Sequence, residues 1–231
     1  MTGSPGGNTA SQDRSRRLVT IASLVGTTVE WYDFFLYGTI TGLVFNKLFF
    51  PSNDIFVSTM LAYTVYAVGF VTRPVGGILF GHFGDKIGRK PLLVLTLLIM
   101  GIATFLIGLI PTYAQIGIAA PLLLLLLRLL QGIGLGGEWG GAVIMSFEYA
   151  PKAKRGFYTC WPQVGLAVGL SLATGVVALL TKTLSEEAFL SWGWRVAFMG
   201  SIVLVGLGLF IRLKILETPE FAKIKEAQKI A

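Results

Sequence analysis

The chain has 231 residues, of which 54% are hydrophobic and only 13% charged, with a mean hydropathy of +0.72. A soluble domain carries about 25% charged residues, so this composition excludes one and requires a bilayer to cover it, in which the length allows about six spans of roughly 20 residues. The net charge of +7 does not mark a nucleic-acid binder, because the basic residues sit in connections between apolar runs and form no contiguous face; the single cysteine, Cys160, excludes an internal disulfide and a Cys-based metal cluster, and the single histidine, His82, cannot complete a zinc site with it.

In chain order, residues 1–17 read as a disordered cytoplasmic tail, rich in Gly, Ser and Thr and ending in Arg14, Arg16 and Arg17. The arginines precede an apolar stretch with no small-residue cleavage site, which predicts an uncleaved first helix over 18–45. A second helix is expected over 55–80. Residues 81–90 hold three glycines and five ionisable groups and cannot lie in hydrocarbon, which predicts a tight aqueous loop. The third helix starts at Pro91 and ends near Pro111, and the fourth covers about 116–149. A basic loop at 151–155 then leads to a fifth helix over 157–181 and a sixth over 194–213.

Fourteen Lys and Arg residues fall on the side of that loop and of both termini, Arg212 among them, against Lys47, Lys182 and Arg195 on the other. This bias places both termini in the cytoplasm and the chain in the cytoplasmic membrane as a multi-pass protein. Trp192 and Trp194 read as interface anchors. Residues 214–231 carry Phe221, Ile224 and Ala227 on one helical face and lysines on the other, predicting an amphipathic cytoplasmic tail that opens a central linker. The fold class expected is an all-α integral membrane domain of six helices, 18–213.

The ionisable residues inside the spans are the candidates for function, since a charge there is costly and normally faces a cavity or a partner. Glu30 and Asp33 lie three residues apart on one face of the first helix, and Tyr37 extends that face. Two close carboxyl groups in an apolar setting suit proton uptake and release, so either could carry a proton; alternatively both pair with Arg73 as structural glue. Arg73, beside Pro74 and Gly76-Gly77, can hold an anion with a forked contact or neutralise one of these acids. Arg128 and Glu138, ten residues apart on the fourth helix, stand about 15 Å apart along it and about 80° around it, so both can face one cavity without pairing. Arg128 could equally be an interior arginine bonded to backbone carbonyls and Gln131, while Glu138 is a further proton-carrier candidate. Gly132, Gly136 and Gly140, and Gly165 and Gly169, have the small-residue spacing of close helix packing. No nucleophile–base pair, metal cluster or phosphate loop suggests an enzyme; the run 132–137 lacks a preceding strand.

Gly81-x3-Asp85-Lys86-x-Gly88-Arg89-Lys90 between the second and third spans resembles the signature loop of the major facilitator superfamily. Arg128-x2-Gln131-Gly132-x-Gly134 is similar to that superfamily's fourth-helix motif. Val29-Glu30-Trp31-Tyr32-Asp33-Phe34-Phe35-Leu36-Tyr37-Gly38, Gly136-Gly137-Glu138-Trp139-Gly140-Gly141, Trp192-Gly193-Trp194-Arg195 and Glu217-Thr218-Pro219-Glu220-Phe221 narrow the resemblance to the metabolite:proton symporter family. The resemblance implies the amino-terminal half of a twelve-helix fold, built of two three-helix inverted repeats. It implies proton-coupled symport of a small organic acid or osmolyte, with no cofactor but the proton. Arg73, Arg128, Tyr37 and Gln131 are then candidate substrate-binding residues, Glu30, Asp33 and Glu138 candidate proton carriers, and Gly81, Asp85, Gly88, Arg89 and Lys90 a gating loop. The missing half implies a second six-helix half or a second copy as partner, or else a split half without independent transport.

Overall fold

A computed structural model describes residues 6–213, with side chains for all of these except 6–16, 85, 89 and 139–142. The tail expected at 214–231 lies outside the described residues. Every regular element among the described residues is helical. The long ones are α1 (Gly6–Ile40), α2 (Ile55–Val71), α3 (Arg73–Ile87), α4 (Arg89–Ile107), α5 (Ala119–Tyr149), α6 (Trp161–Thr183) and α7 (Trp194–Leu213). Counting α2 and α3 as one crossing, they form the expected six-span, all-α membrane bundle.

The first helix starts at Gly6, so the part of the expected tail that is described is helical. A helix already nucleated extends at one hydrogen bond per residue fixed, and Ala10, Gln12 and the arginines accept that conformation. At its other end α1 passes into a π-helical turn, Thr41–Phe45, and then Asn46–Leu48. Asp54 caps α2 by accepting a hydrogen bond from the Phe56 amide at 2.8 Å.

The second crossing is two helices rather than one. Thr72 interrupts it because Pro74 has no amide hydrogen to give the Phe70 carbonyl and crowds it sterically. The aqueous loop expected at 81–90 is likewise helical through Ile87, and the connection to α4 is Gly88 alone. Its φ of 100° is open to glycine and strained for other residues, which lets the chain reverse in one step. Charges at a helix end can reach water without a loop, and that is why composition alone overstated its length.

Five stretches are long and apolar enough to cross a membrane: Ile55–Gly84, Lys90–Ile107, Ala119–Tyr149, Lys152–Thr183 and Glu186–Leu213. α1 is not among them because Thr27, Thr28, Glu30 and Asp33 dilute its apolar content. Those residues are buried in the bundle, not lipid-facing. α1 packs along α6, α7 and α5, while α5 lies against α4, α3 and α2. Close approach uses the glycines: a Cβ on Gly132 would meet Thr72 Oγ1 and the Gly69 carbonyl, and one on Gly165 would meet Thr27 and the Leu24 carbonyl. Gly140 falls among the undescribed side chains.

An aromatic cluster of Tyr37, Phe45, Phe49, Trp194 and Phe198 fills one end of the bundle, with ring centroids 5.0 to 6.5 Å apart. Trp194 is fully buried there and is not an interface anchor, whereas Trp192 is exposed. Its place on the inner face of α7, one helical turn before Phe198, explains the difference. Arg195 clamps the end of α4, donating to the carbonyls of Gly108 at 2.9 Å and Ile110 at 2.8 Å.

Candidate functional site

Glu30, Asp33 and Phe34 of α1 meet Gly69 of α2, Arg73 of α3, Met100 of α4 and Arg128, Gln131, Gly132 and Leu135 of α5 around one cleft. The free space within it is about 10 Å³, enough for one water. Five of the sequence candidates on three helices, Glu30, Asp33, Arg73, Arg128 and Gln131, thus line one cleft. Arg128 fits because Gly69 has no side chain: a Cβ there would lie 2.6 Å from Arg128 Nε.

A continuous hydrogen-bond chain crosses the cleft. Arg128 Nε donates to the Tyr66 carbonyl at 3.3 Å and Arg128 Nη1 to Gln131 Oε1 at 3.1 Å. Gln131 Nε2 donates to Thr104 Oγ1 at 2.7 Å, and Thr104 Oγ1 lies 2.7 Å from Asp33 Oδ2, to which it can donate. The same hydroxyl lies 2.9 Å from the Met100 carbonyl, so its one hydrogen has two acceptors to choose between. Asp33 and Arg128 are therefore joined through two neutral groups, without touching. The interior-arginine arrangement expected as one alternative, a backbone carbonyl plus Gln131, is the one adopted.

The opposite wall is poor in hydrogen bonds. Glu30 Oε2, Asp33 Oδ1 and the Nε and Nη2 atoms of Arg73 are buried without partners. Arg73 instead lies over the rings of Phe70 at 4.5 Å and Phe34 at 4.8 Å, and Arg128 over Tyr37 at 4.3 Å and Tyr66 at 4.7 Å. Such stacking holds a cation while leaving its edge donors free. The expected glue between Arg73 and the two acids is not formed: no ion pair joins them among the described residues.

Tyr37 is fully buried behind Arg128, stacked on Tyr66 at 5.7 Å, and does not line the cleft. Glu138 does not line it either. It forms a buried ion pair with Arg212, whose guanidinium also donates to the Leu93 carbonyl, while Thr96 Oγ1 donates to Glu138 Oε2 at 3.4 Å. Arg212 is 4% exposed and so is not the free cytoplasmic charge expected from its place near the end of an apolar run. In the gating segment, Gly88 makes the turn and Lys90 Nζ donates to the Leu213 carbonyl at 3.1 Å, while Gly81 is exposed. The side chains of Asp85 and Arg89 lie outside the described residues.

Two participants escaped the sequence reading. Thr104 carried no signal, being one of many threonines in apolar runs. Arg212 did carry one: Trp194, Phe198, Ser201, Val205, Gly208 and Arg212 recur at the spacing of a single inward stripe, and all are buried.

A larger cavity of about 220 Å³ lies near the exposed Lys47–Glu186 pair, lined by Leu43, Leu184 and Phe189. None of the candidate residues reaches it.

A polytopic helical bundle with arginines and carboxylic acids facing one interior cleft is the architecture of a membrane transporter half. The chain matches the model of the sugar (and other) transporter family over residues 18–231, and it belongs to that family, within the major facilitator superfamily. It is 50% identical over 215 residues to the inner membrane metabolite transport protein YhjE of Escherichia coli, covering 93% of this chain and 49% of that protein. The shikimate transporter of Escherichia coli is 48% identical over 227 residues, covering 98% and 52%. The proline/betaine transporter of Salmonella typhimurium is 46% identical over 206 residues, covering 89% and 41%. Among solved structures, the proton:xylose symporter XylE bound to 6-bromo-6-deoxy-D-glucose superposes with a TM-score of 0.83 at 17% identity, over 94% of this chain and 48% of XylE. That likeness shows the fold. The chain spans about half the length of the curated relatives it matches and corresponds to their amino-terminal half. These relatives are transporters, not enzymes.

Proposed function

We propose that the chain is one half of a proton-coupled symporter for a small polar metabolite bearing a carboxylate, an organic acid or a zwitterionic osmolyte. It works in the cytoplasmic membrane against a second six-helix half or a second copy, with both termini inside and no cofactor but the proton. Setting aside buried Arg212, thirteen basic residues against three still favour that orientation. One observation carries the reading: the unpartnered donors of Arg73 and the unpartnered oxygens of Glu30 and Asp33 share one cleft.

In this reading Arg73 receives the substrate carboxylate in a charge-assisted contact. Asp33, or Glu30 one turn away, takes the proton, since a carboxyl in an apolar setting changes charge only when that change is compensated nearby. Arg128 and Gln131 fix the Thr104 hydroxyl beside Asp33 and so report its charge across the cleft. Gly88, with Asp85, Arg89 and Lys90, forms the hinge at the gating end.

The test is uptake of labelled organic acids and osmolytes into proteoliposomes under an inward proton gradient, beside Asp33→Asn and Glu30→Gln. Gradient-driven uptake lost in either variant supports the reading; uptake indifferent to collapsing the gradient overturns proton coupling. A second reading, a half without independent transport, is favoured by a cleft of only about 10 Å³. It predicts folded chain in the vesicles and no uptake of any candidate.

A further inference from the structure

The cavity of about 220 Å³ shares no lining residue with the cleft. It lies at the end of the bundle away from Gly88, where α1 finishes, α6 finishes and the chain enters α7. The two π-helical turns among the described residues both wall it: Thr41–Phe45 supplies Leu43, and Phe189–Gly193 supplies Phe189 and Leu190. A π turn is rare and recurs at functional sites. Leu184, just past α6, completes an apolar floor. Thr181 adds no free donor to it, since its hydroxyl donates to the Val177 carbonyl at 2.9 Å. The charges stand at the rim: Lys47 lies one turn beyond Leu43, and its Nζ is 3.2 Å from Glu186 Oε1. Trp192, in the second π turn, is half exposed, as a tryptophan at headgroup level is.

We infer that this cavity binds a zwitterionic phospholipid, with part of one acyl chain on the apolar floor, the phosphate at Lys47 and the ammonium at Glu186. The volume exceeds the roughly 150 Å³ that admits a benzene ring, so a chain segment fits while the rest of the lipid stays in the bilayer. The rim selects the headgroup. Lys47 and Glu186 have side chains 52% and 78% exposed, and an ion pair so exposed is held weakly. A guest bringing one charge of each sign replaces that pair and leaves neither residue unmatched. A guest of one sign would satisfy one residue and strand the other. The floor favours a lipid over a soluble zwitterion, because leucines and a phenylalanine offer a small polar solute nothing to bond. The site is a property of the folded chain in a membrane and does not depend on the transport reading.

The test is native mass spectrometry of the full chain, given equal amounts of phosphatidylethanolamine and phosphatidylglycerol with identical acyl chains. The parent should retain phosphatidylethanolamine over phosphatidylglycerol by about two- to fivefold, the effect of one exposed charge contact. Glu186→Gln leaves Lys47 as a lone cation and should turn the preference towards phosphatidylglycerol. Leu43→Trp fills the cavity and should abolish the preference. Leu43, Lys47 and Glu186 are all exposed, so these variants should unfold in detergent at the parent's temperature. Equal retention of the two lipids by the parent, or a preference that survives Leu43→Trp, overturns the site. An unchanged preference in Glu186→Gln overturns the role of the charged rim. Glycine betaine carries both charges without a chain; if an excess of it removes the preference, the occupant is a soluble zwitterion and the lipid assignment fails.

Discussion

Asp33 accepts one hydrogen bond and keeps a second oxygen bare, while Arg128 spends its donors on Tyr66 and Gln131. The two residues therefore tolerate change differently. Thr104→Val removes the hydroxyl between Asp33 and Gln131 at nearly constant shape, leaving the Gln131 amide without an acceptor at a cost of about 1–3 kcal/mol. Gradient-driven uptake should fall about tenfold or more while the chain stays folded in detergent; uptake equal to the parent would separate Thr104 from the proton site. Arg128→Lys should be worse than its retained charge suggests, because an ammonium cannot serve the Tyr66 carbonyl, Gln131 and two aromatic faces together. Measured side by side, Arg128→Lys should lose thermal stability as well as uptake, and Asp33→Asn uptake alone. Glu30, Asp33, Arg73 and Arg128 were legible in the sequence because charged groups are rare in apolar helices, and Gln131 because it stands in the fourth-helix motif with Arg128. Thr104 was not, because a hydroxyl bonding its own helix and one bonding an acid look alike in sequence. Arg212 was misplaced because a charge near a helix end was judged by position along the axis, when the face it occupies decides whether it meets water.

Helix packing here depends on which glycines face backbone. Gly132 abuts Gly69 and Thr72, and Gly165 abuts α1, whereas a Cβ added at Gly175 would meet nothing within 4 Å. Gly132→Val and Gly165→Val should each destabilise by about 1–3 kcal/mol through overpacking, read as a lower unfolding temperature in detergent. Gly175→Ala should be neutral or slightly stabilising. Equal effects at all three positions would mean that the contacts of Gly132 and Gly165 do not hold the bundle. A spacing of four residues points to close packing, but it cannot say against which helix. The same limit applies to the second crossing: Pro74 signals the interruption at Thr72, but not that Gly132 and Gly136 of α5 pack against it. Helix ends were less legible, since the segment at 81–90 keeps helical hydrogen bonds that its composition gives no reason to expect.

At the scale of the molecule, α2 and α3 expose Ile55, Phe56, Val71 and Ile78, and α7 exposes Val203 and Phe210. Such faces need lipid or another bundle against them. On the proposed reading, the cleft gains its second wall from the partner half, so purified chain should enter vesicles efficiently yet transport only when that partner or a second copy is present. Size analysis in detergent, run with uptake on the same sample, checks this: transport by a strictly monomeric chain would contradict it. The overall bundle was legible because apolar runs of spanning length leave few alternatives, while α1 shows that a span lined with polar groups is recognised by its neighbours more than by its own hydropathy.

The bare donors of Arg73 also bear on selectivity. A cation already hydrogen-bonded on every side has no free donor to offer what passes it. One held only by aromatic faces penalises any guest without an acceptor, because its N–H groups then stay desolvated. A carboxylate offers an acceptor to each of the two bare donors, while an amide or alcohol analogue offers one neutral oxygen and leaves the other donor unmet at about 1–3 kcal/mol, a preference of roughly ten- to a hundredfold without any contact to the rest of the guest. On the proposed reading, the discrimination to expect is a broad range of carboxylates screened against neutral mimics.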